Sequence, residues 1–104
     1  MNKKALFIRH KAQPGKREEV KRIWEMYVRA YVETANGHLA YVYGFDDNDP
    51  DAIVAYQLYS NEVGTEDFAK QPWYADYERE TAALLAGPSE FRTMTPQWIK
   101  GESA

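Results

Sequence analysis

The chain has 104 residues, a formal charge of −3 from 13 basic and 16 acidic side chains, and no cysteine. That length supports one core rather than two. The missing cysteine excludes disulfides, thiolate catalysis, cysteine zinc sites and iron–sulfur ligation, and fits a reducing cytosol. No basic block offers a nucleic-acid footprint. Eight Tyr, three Trp and four Phe are a heavy aromatic load for this size, pointing to a lined cavity or a large interface beside the core.

"MNKKALFIRHK" is too short and too broken by charge for a signal peptide, and nothing approaches the ~18 apolar residues of a membrane span. The expectation is a soluble, cytoplasmic protein of one domain over residues 1–104, with its core at 5–98 and a tail at 99–104.

In chain order, "KALFIRHKA" (4–12) reads as a first strand, with Leu6, Ile8 and His10 on one side and Phe7 and Arg9 on the other. Pro14-Gly15 then signals a turn. From Lys16 the period changes: Val20, Ile23, Trp24, Tyr27, Val28, Tyr31 and Val32 recur at helical spacing. Glu18 and Glu19 suit the positive end of that helix, and Asn36-Gly37 ends it, with glycine expected in the left-handed cap conformation.

"HLAYVYGF" (38–45) is a second strand without a polar side. Leu39, Tyr41, Tyr43 and Phe45 are expected on one face, and His38, Ala40, Val42 and Gly44 on the other. After the acidic loop "DDNDPDA", "IVAYQLYS" (53–60) is a third strand that pairs with the second as an antiparallel hairpin. Ser60 or Thr65 is expected to cap a second helix, which Pro72 interrupts and "WYADYERETAALLA" (73–86) resumes. Gly87-Pro88 stops it, and "EFRTMTPQW" (90–98) is the last strand.

The order β-α-β-β-α-β is that of the α+β, ferredoxin-like split βαβ. Right-handed crossovers place both helices on one side of a four-stranded antiparallel sheet and leave the other side bare. A half-exposed patch of four large side chains amounts to about 400 Å², on the order of 10 kcal/mol. Monomers seldom leave that much uncovered. A homodimer joined through its sheet faces is the simplest cover.

The stretch from Pro14 to Glu62, followed by "FAKQPWYADY" and "GPSEF", resembles the antibiotic biosynthesis monooxygenase-like (quinol monooxygenase-like) domains. The marks are the Pro-Gly after the first strand, the Gly before the second, and the Pro-aromatic step at Pro72-Trp73-Tyr74. The resemblance implies a dimeric α/β barrel with a pocket between the sheet and helices of each subunit. It also implies oxidation of electron-rich phenols or quinols by dioxygen with no bound cofactor, because an ionised phenol can itself pass an electron to oxygen. Two departures matter. Gln57 stands where relatives often carry an acid, and Phe68 where they often carry a histidine. In the haem-degrading branch a helix histidine and a first-strand asparagine are needed; this chain offers Tyr77 or Glu78, and Ile8 or Arg9. A non-catalytic aromatic-binding or auxiliary protein on the same scaffold is therefore the alternative.

His10 and His38 are the two groups that titrate near neutrality unperturbed. Parity sends His10 to the helix side, as a pocket base or a satisfied core residue. His38, at a strand start, reads as a turn-rim residue. Trp73 and Tyr77, one helical turn apart, are expected to join Phe68 and Tyr56 as walls for a flat aromatic, or else simply as core. Tyr27 and Tyr31 bind a phenolate if their hydroxyls reach the cavity. "DNDPD" lacks the calcium-loop requirements, since positions six and twelve from Asp47 are Ala52 and Leu58. No metal is expected.

Overall fold

β1 (Lys4–Lys11) and β3 (Ala52–Tyr59) occupy the middle of a four-stranded antiparallel sheet, with β2 (His38–Phe45) and β4 (Glu90–Met94) at its edges. This computed structural model describes residues 3–60 and 67–102. The proposed cap at Thr65 lies outside them. Helices α1 (Arg17–Tyr27), α2 (Arg29–Thr34) and α3 (Tyr74–Ala82) complete the α+β, ferredoxin-like arrangement that the element order predicts.

α1 and α3 serve the same sheet face. Trp24 of α1 stacks on Tyr43 of β2 with ring centroids 4.2 Å apart. Tyr77 of α3 borders a cavity with Leu6, Ile8 and Ala55 of the sheet. Ala12, Val20 and Ile53 form the buried heart at one end, with Tyr43, Phe45, Leu84 and Leu85 packed around them. Apart from the Tyr43 hydroxyl these groups are apolar, so their burial acts with little opposing desolvation.

Four local expectations change. The first helix is interrupted at Val28, although its i→i−4 bonding persists on both sides, with the Val28 N–H on Trp24 O at 2.8 Å and the Val32 N–H on Val28 O at 3.0 Å. It closes because Ala35 turns extended (φ −78°, ψ 119°), whereas the left-handed glycines among the described residues are Gly15 and Gly101 rather than Gly37. α3 stops at Ala82, well before Gly87, because the following backbone is claimed by the end of β1. The Gln13 N–H donates to Leu84 O at 2.9 Å, and the Ala86 N–H to Lys11 O at 2.7 Å. The last strand ends at Met94, well short of Trp98.

The fourth change bears on the site. The β2–β3 register steps from His38↔Tyr59 to Ala40↔Leu58, so Leu39 is an extra residue in a β-bulge. A bulge breaks the two-residue alternation. His38 therefore joins Tyr41 and Tyr43 on the helix side instead of facing away, and Leu39 is left 48% exposed.

The acidic loop is neutralised by cations of this chain. Arg9 and Lys11 reach Asp49 at 2.9 and 2.6 Å, and these bonds hold its carboxyl below the usual range. The Arg17 guanidinium donates to the carbonyls of Asp46, Asp49 and Ala52 at 3.2, 2.9 and 3.3 Å and covers the Phe45 ring. A loop tied this way fixes the hairpin between β2 and β3.

Candidate functional site

Between the sheet and the helices lies an inner cavity of about 170 Å³. Its floor is the helix-side row of the sheet: Leu6, Ile8 and His10 from β1, Ala55, Gln57 and Tyr59 from β3, Tyr41 and Tyr43 from β2. Trp24, Phe68, Tyr74 and Tyr77 close it from the helical layer, and Phe91 of β4 stands at its side. The period of two delivers this row: alternate residues of neighbouring strands, in register, present one face.

The polar groups here form a partly closed network. Trp24 Nε1–H donates to the Tyr41 hydroxyl at 3.0 Å. Gln57, 3% exposed, accepts from the Tyr59 hydroxyl through Oε1, which also lies 3.4 Å from His38 Nε2. The Tyr43 hydroxyl is buried and has no partner among the described residues. Burial pushes the Tyr41 hydroxyl up to about 12, and raises those of Tyr43, Tyr59 and Tyr77 as well. At neutral pH these phenols are therefore uncharged; Tyr59 spends its proton on Gln57, whereas Tyr41, an acceptor from Trp24, keeps its own to donate. Among the described residues, no carboxylate lines the inner cavity.

His10 lies where this cavity meets a larger cleft of about 410 Å³, bounded by α3 and residues 85–91. Its Nδ1 lies 2.5 Å from Ser89 Oγ, and burial lowers its pKa from the ordinary histidine value, so the ring is neutral near pH 7. A neutral imidazole can take a proton, and this is the group of the inner cavity that can do so near neutrality. The Thr81 hydroxyl, on α3 beside the cleft, is buried without a partner.

Of the residues singled out from the sequence, His10, Phe68 and Tyr77 border the cavity. Trp73 sits behind them, edge-on to Phe68 at 5.4 Å and to Tyr77 at 6.1 Å. Tyr31 packs edge-on against Trp73 at 5.7 Å and His38 at 6.1 Å. Tyr27 spends its hydroxyl on Glu80, a bond that raises its pKa ahead of burial and the Glu80 charge. Tyr27, Tyr31 and Trp73 thus form an aromatic layer that braces the cavity wall.

Tyr56 does not belong with them. It pairs with Phe7 and Val42 across the opposite sheet face, its ring 5.0 Å from that of Phe7. Strand parity already separates it from Ala55 and Gln57. Residues that sequence reasoning passed over are Trp24, Tyr41, Tyr43, Tyr59, Tyr74, Ser89 and Phe91. Parity from His10 through paired strands would have found Tyr41, Tyr43 and Tyr59; nothing local marks Ser89 as the partner of a residue 79 positions away. Among the described residues, no group of three His, Asp or Glu could hold a metal ion, and no helix is long and apolar enough to cross a membrane.

The family model for antibiotic biosynthesis monooxygenases matches residues 5–80. Solved structures agree on the fold. Rv0793 from Mycobacterium tuberculosis superposes with a TM-score of 0.84 at 15% identity, covering 96% of this chain and 100% of that one. SnoaB, a cofactor-independent oxygenase from Streptomyces nogalater, gives 0.81 at 15% identity over 98% and 100%. A Chloroflexus aurantiacus protein described as a candidate antibiotic biosynthesis monooxygenase gives 0.79 at 23% identity over 96% and 98%. No curated protein matches the chain by sequence.

Proposed function

This chain belongs to the antibiotic biosynthesis monooxygenase family, and we propose that it is a cofactor-independent monooxygenase acting on a phenolic or quinol-type aromatic. The observation carrying this reading is the cavity between sheet and helices, walled by aromatic rings, donor-rich and, among the described residues, carboxylate-free, with neutral His10 at its border. SnoaB, of the same fold, is a cofactor-independent oxygenase.

The reaction balances without an added reductant. A quinol gives four electrons to one dioxygen, two as its hydroxyls become carbonyls and two as one ring C–H becomes C–OH. One oxygen atom enters the ring, the other leaves as water, and the product is a hydroxyquinone. In this scheme His10 takes the phenolic proton, the phenolate passes an electron to oxygen, and tyrosine hydroxyls such as Tyr41 stabilise the anionic oxygen. The closed aromatic walls exclude water from the radical pair.

Oxygen uptake with a panel of hydroquinones and anthrones tests this. Consumption of one dioxygen per product, lost in His10→Ala, supports it; rates equal to the uncatalysed background for every compound reject it.

A second reading, an aromatic-binding protein without chemistry, draws on Gln57 and Phe68. Gln57 Oε1 is already engaged by the Tyr59 hydroxyl, and Phe68 has no proton to exchange. It requires saturable binding with the ligand recovered unchanged.

The same reading includes a homodimer packed through the other sheet face. Phe7, Val42, Val54 and Met94, one from each strand, leave 43%, 62%, 38% and 43% of their surfaces open there, in successive rows that also carry Arg9, Arg92 and Glu90. Such a set favours burial against a second copy.

A further inference from the structure

We infer that the substrate is a two-part molecule, whose aromatic head fills the inner cavity and whose apolar extension lies in the outer cleft between α3 and residues 85–91. This rests on the functional reading above and narrows its substrate class.

The first argument is size. A cavity of roughly 150 Å³ accommodates one benzene ring. At about 170 Å³, the inner cavity therefore takes a single ring and its oxygen substituents. A fused tricycle or a ring with a side chain must extend beyond it. The outer cleft, at about 410 Å³, has the dimensions of a ligand site in its own right, since such sites start near 300 Å³.

The second argument is continuity. His10, Tyr74, Tyr77 and Phe91 border both spaces, so they form a collar between them. Phe91 keeps 63% of its surface open and stands at the mouth. A head group entering the inner cavity leaves whatever it carries in the cleft, with the atoms at the junction beside His10.

The third argument is chemistry. Two polar pairs of the cleft are matched, Ser89 Oγ with His10 Nδ1 at 2.5 Å and the Tyr74 hydroxyl on Glu78 at 2.9 Å, while the Thr81 hydroxyl is buried without a partner among the described residues. The rest of the wall is largely apolar, with Ala82, Leu85, Ala86 and Pro88. An anionic extension meets the Glu78 carboxylate there, whereas an aryl or alkyl group gains burial. The cleft belongs to the helix side of the sheet, so pairing of two copies through the opposite face leaves it open.

Calorimetric binding of phenol and 4-phenylphenol to the full chain tests the inference, with turnover playing no part. The wild type is expected to bind 4-phenylphenol at least about tenfold more tightly than phenol, as one extra buried ring provides. Ala82→Trp, which fills the cleft from an exposed helix position, is expected to abolish that advantage while changing phenol affinity less than about twofold. Ala86→Phe fills it independently from the following segment and is expected to act likewise. Equal losses for both compounds, or no loss in either variant, overturn the two-part assignment. So does a wild type that binds both compounds alike. If neither compound binds, the inner cavity is not an aromatic site, and the functional reading falls with the inference.

Discussion

Trp24 and Tyr41 are joined by a hydrogen bond from the indole N–H to the phenol oxygen at 3.0 Å, which ties α1 to β2 across the rim of the inner cavity. The bond leaves the Tyr41 proton free to point elsewhere. Trp24→Phe is expected to destabilise the chain by about 1–3 kcal/mol, from the lost bond and the lost ring area. Urea unfolding measures it. A double-mutant cycle with Tyr41→Phe should return a coupling near 1 kcal/mol, and a coupling of zero would mean the bond contributes nothing in solution.

Tyr43→Phe should behave in the opposite way. Its hydroxyl is buried and unpartnered, so deleting it removes a desolvated donor and keeps the ring stacked on Trp24. The expected change lies between zero and about 1 kcal/mol of stabilisation. A clear loss of stability in the same urea assay would reveal a partner for that hydroxyl.

Stability should fall as the solution is acidified through the histidine range. Burial holds both His10 and His38 below the ordinary value of 6.5. Below 6.5 the unfolded chain binds protons that the folded chain refuses, so folding free energy is complete above that value and declines beneath it. Denaturant midpoints at about pH 7.5 and about pH 5.5 should differ in that direction, and His10→Gln should shrink the difference. A midpoint that rises on acidification contradicts the burial of these rings.

Much of this architecture can be read from residue order. The β1 side pattern, the Pro14-Gly15 turn and the helical recurrence from Val20 to Val32 each follow from one local period, and the observed elements fall where those periods place them. The reading slips where a distant partner decides. Leu39 enters β2 as an unpaired residue, so counting by twos misplaces His38. The end of α3 yields to Lys11 and Gln13, about seventy residues earlier in the chain, which no local signal announces. The candidate site divides in the same manner. His10 and Tyr77 follow from their own strand and helix, whereas the Ser89 contact and the banishment of Tyr56 depend on which strands lie side by side.

The exposed sheet face carries a prediction of its own. Val42 sits opposite Tyr56 in the register and is 62% exposed in the isolated chain. Val42→Asp should leave the subunit folded, because it alters an open position, yet convert a two-chain particle to a single chain by light scattering at micromolar concentration. Two wild-type chains that never associate, or a variant that stays paired, would refute the proposed packing.

The irregularity at Leu39 also governs how copies of this molecule can meet. β2 is an outer rim of the sheet, where a straight strand would offer its free backbone as a template for endless lateral addition. With one surplus residue near its start, that rim is twisted and out of step with any incoming ribbon. Growth of a fibre from this border is thereby discouraged.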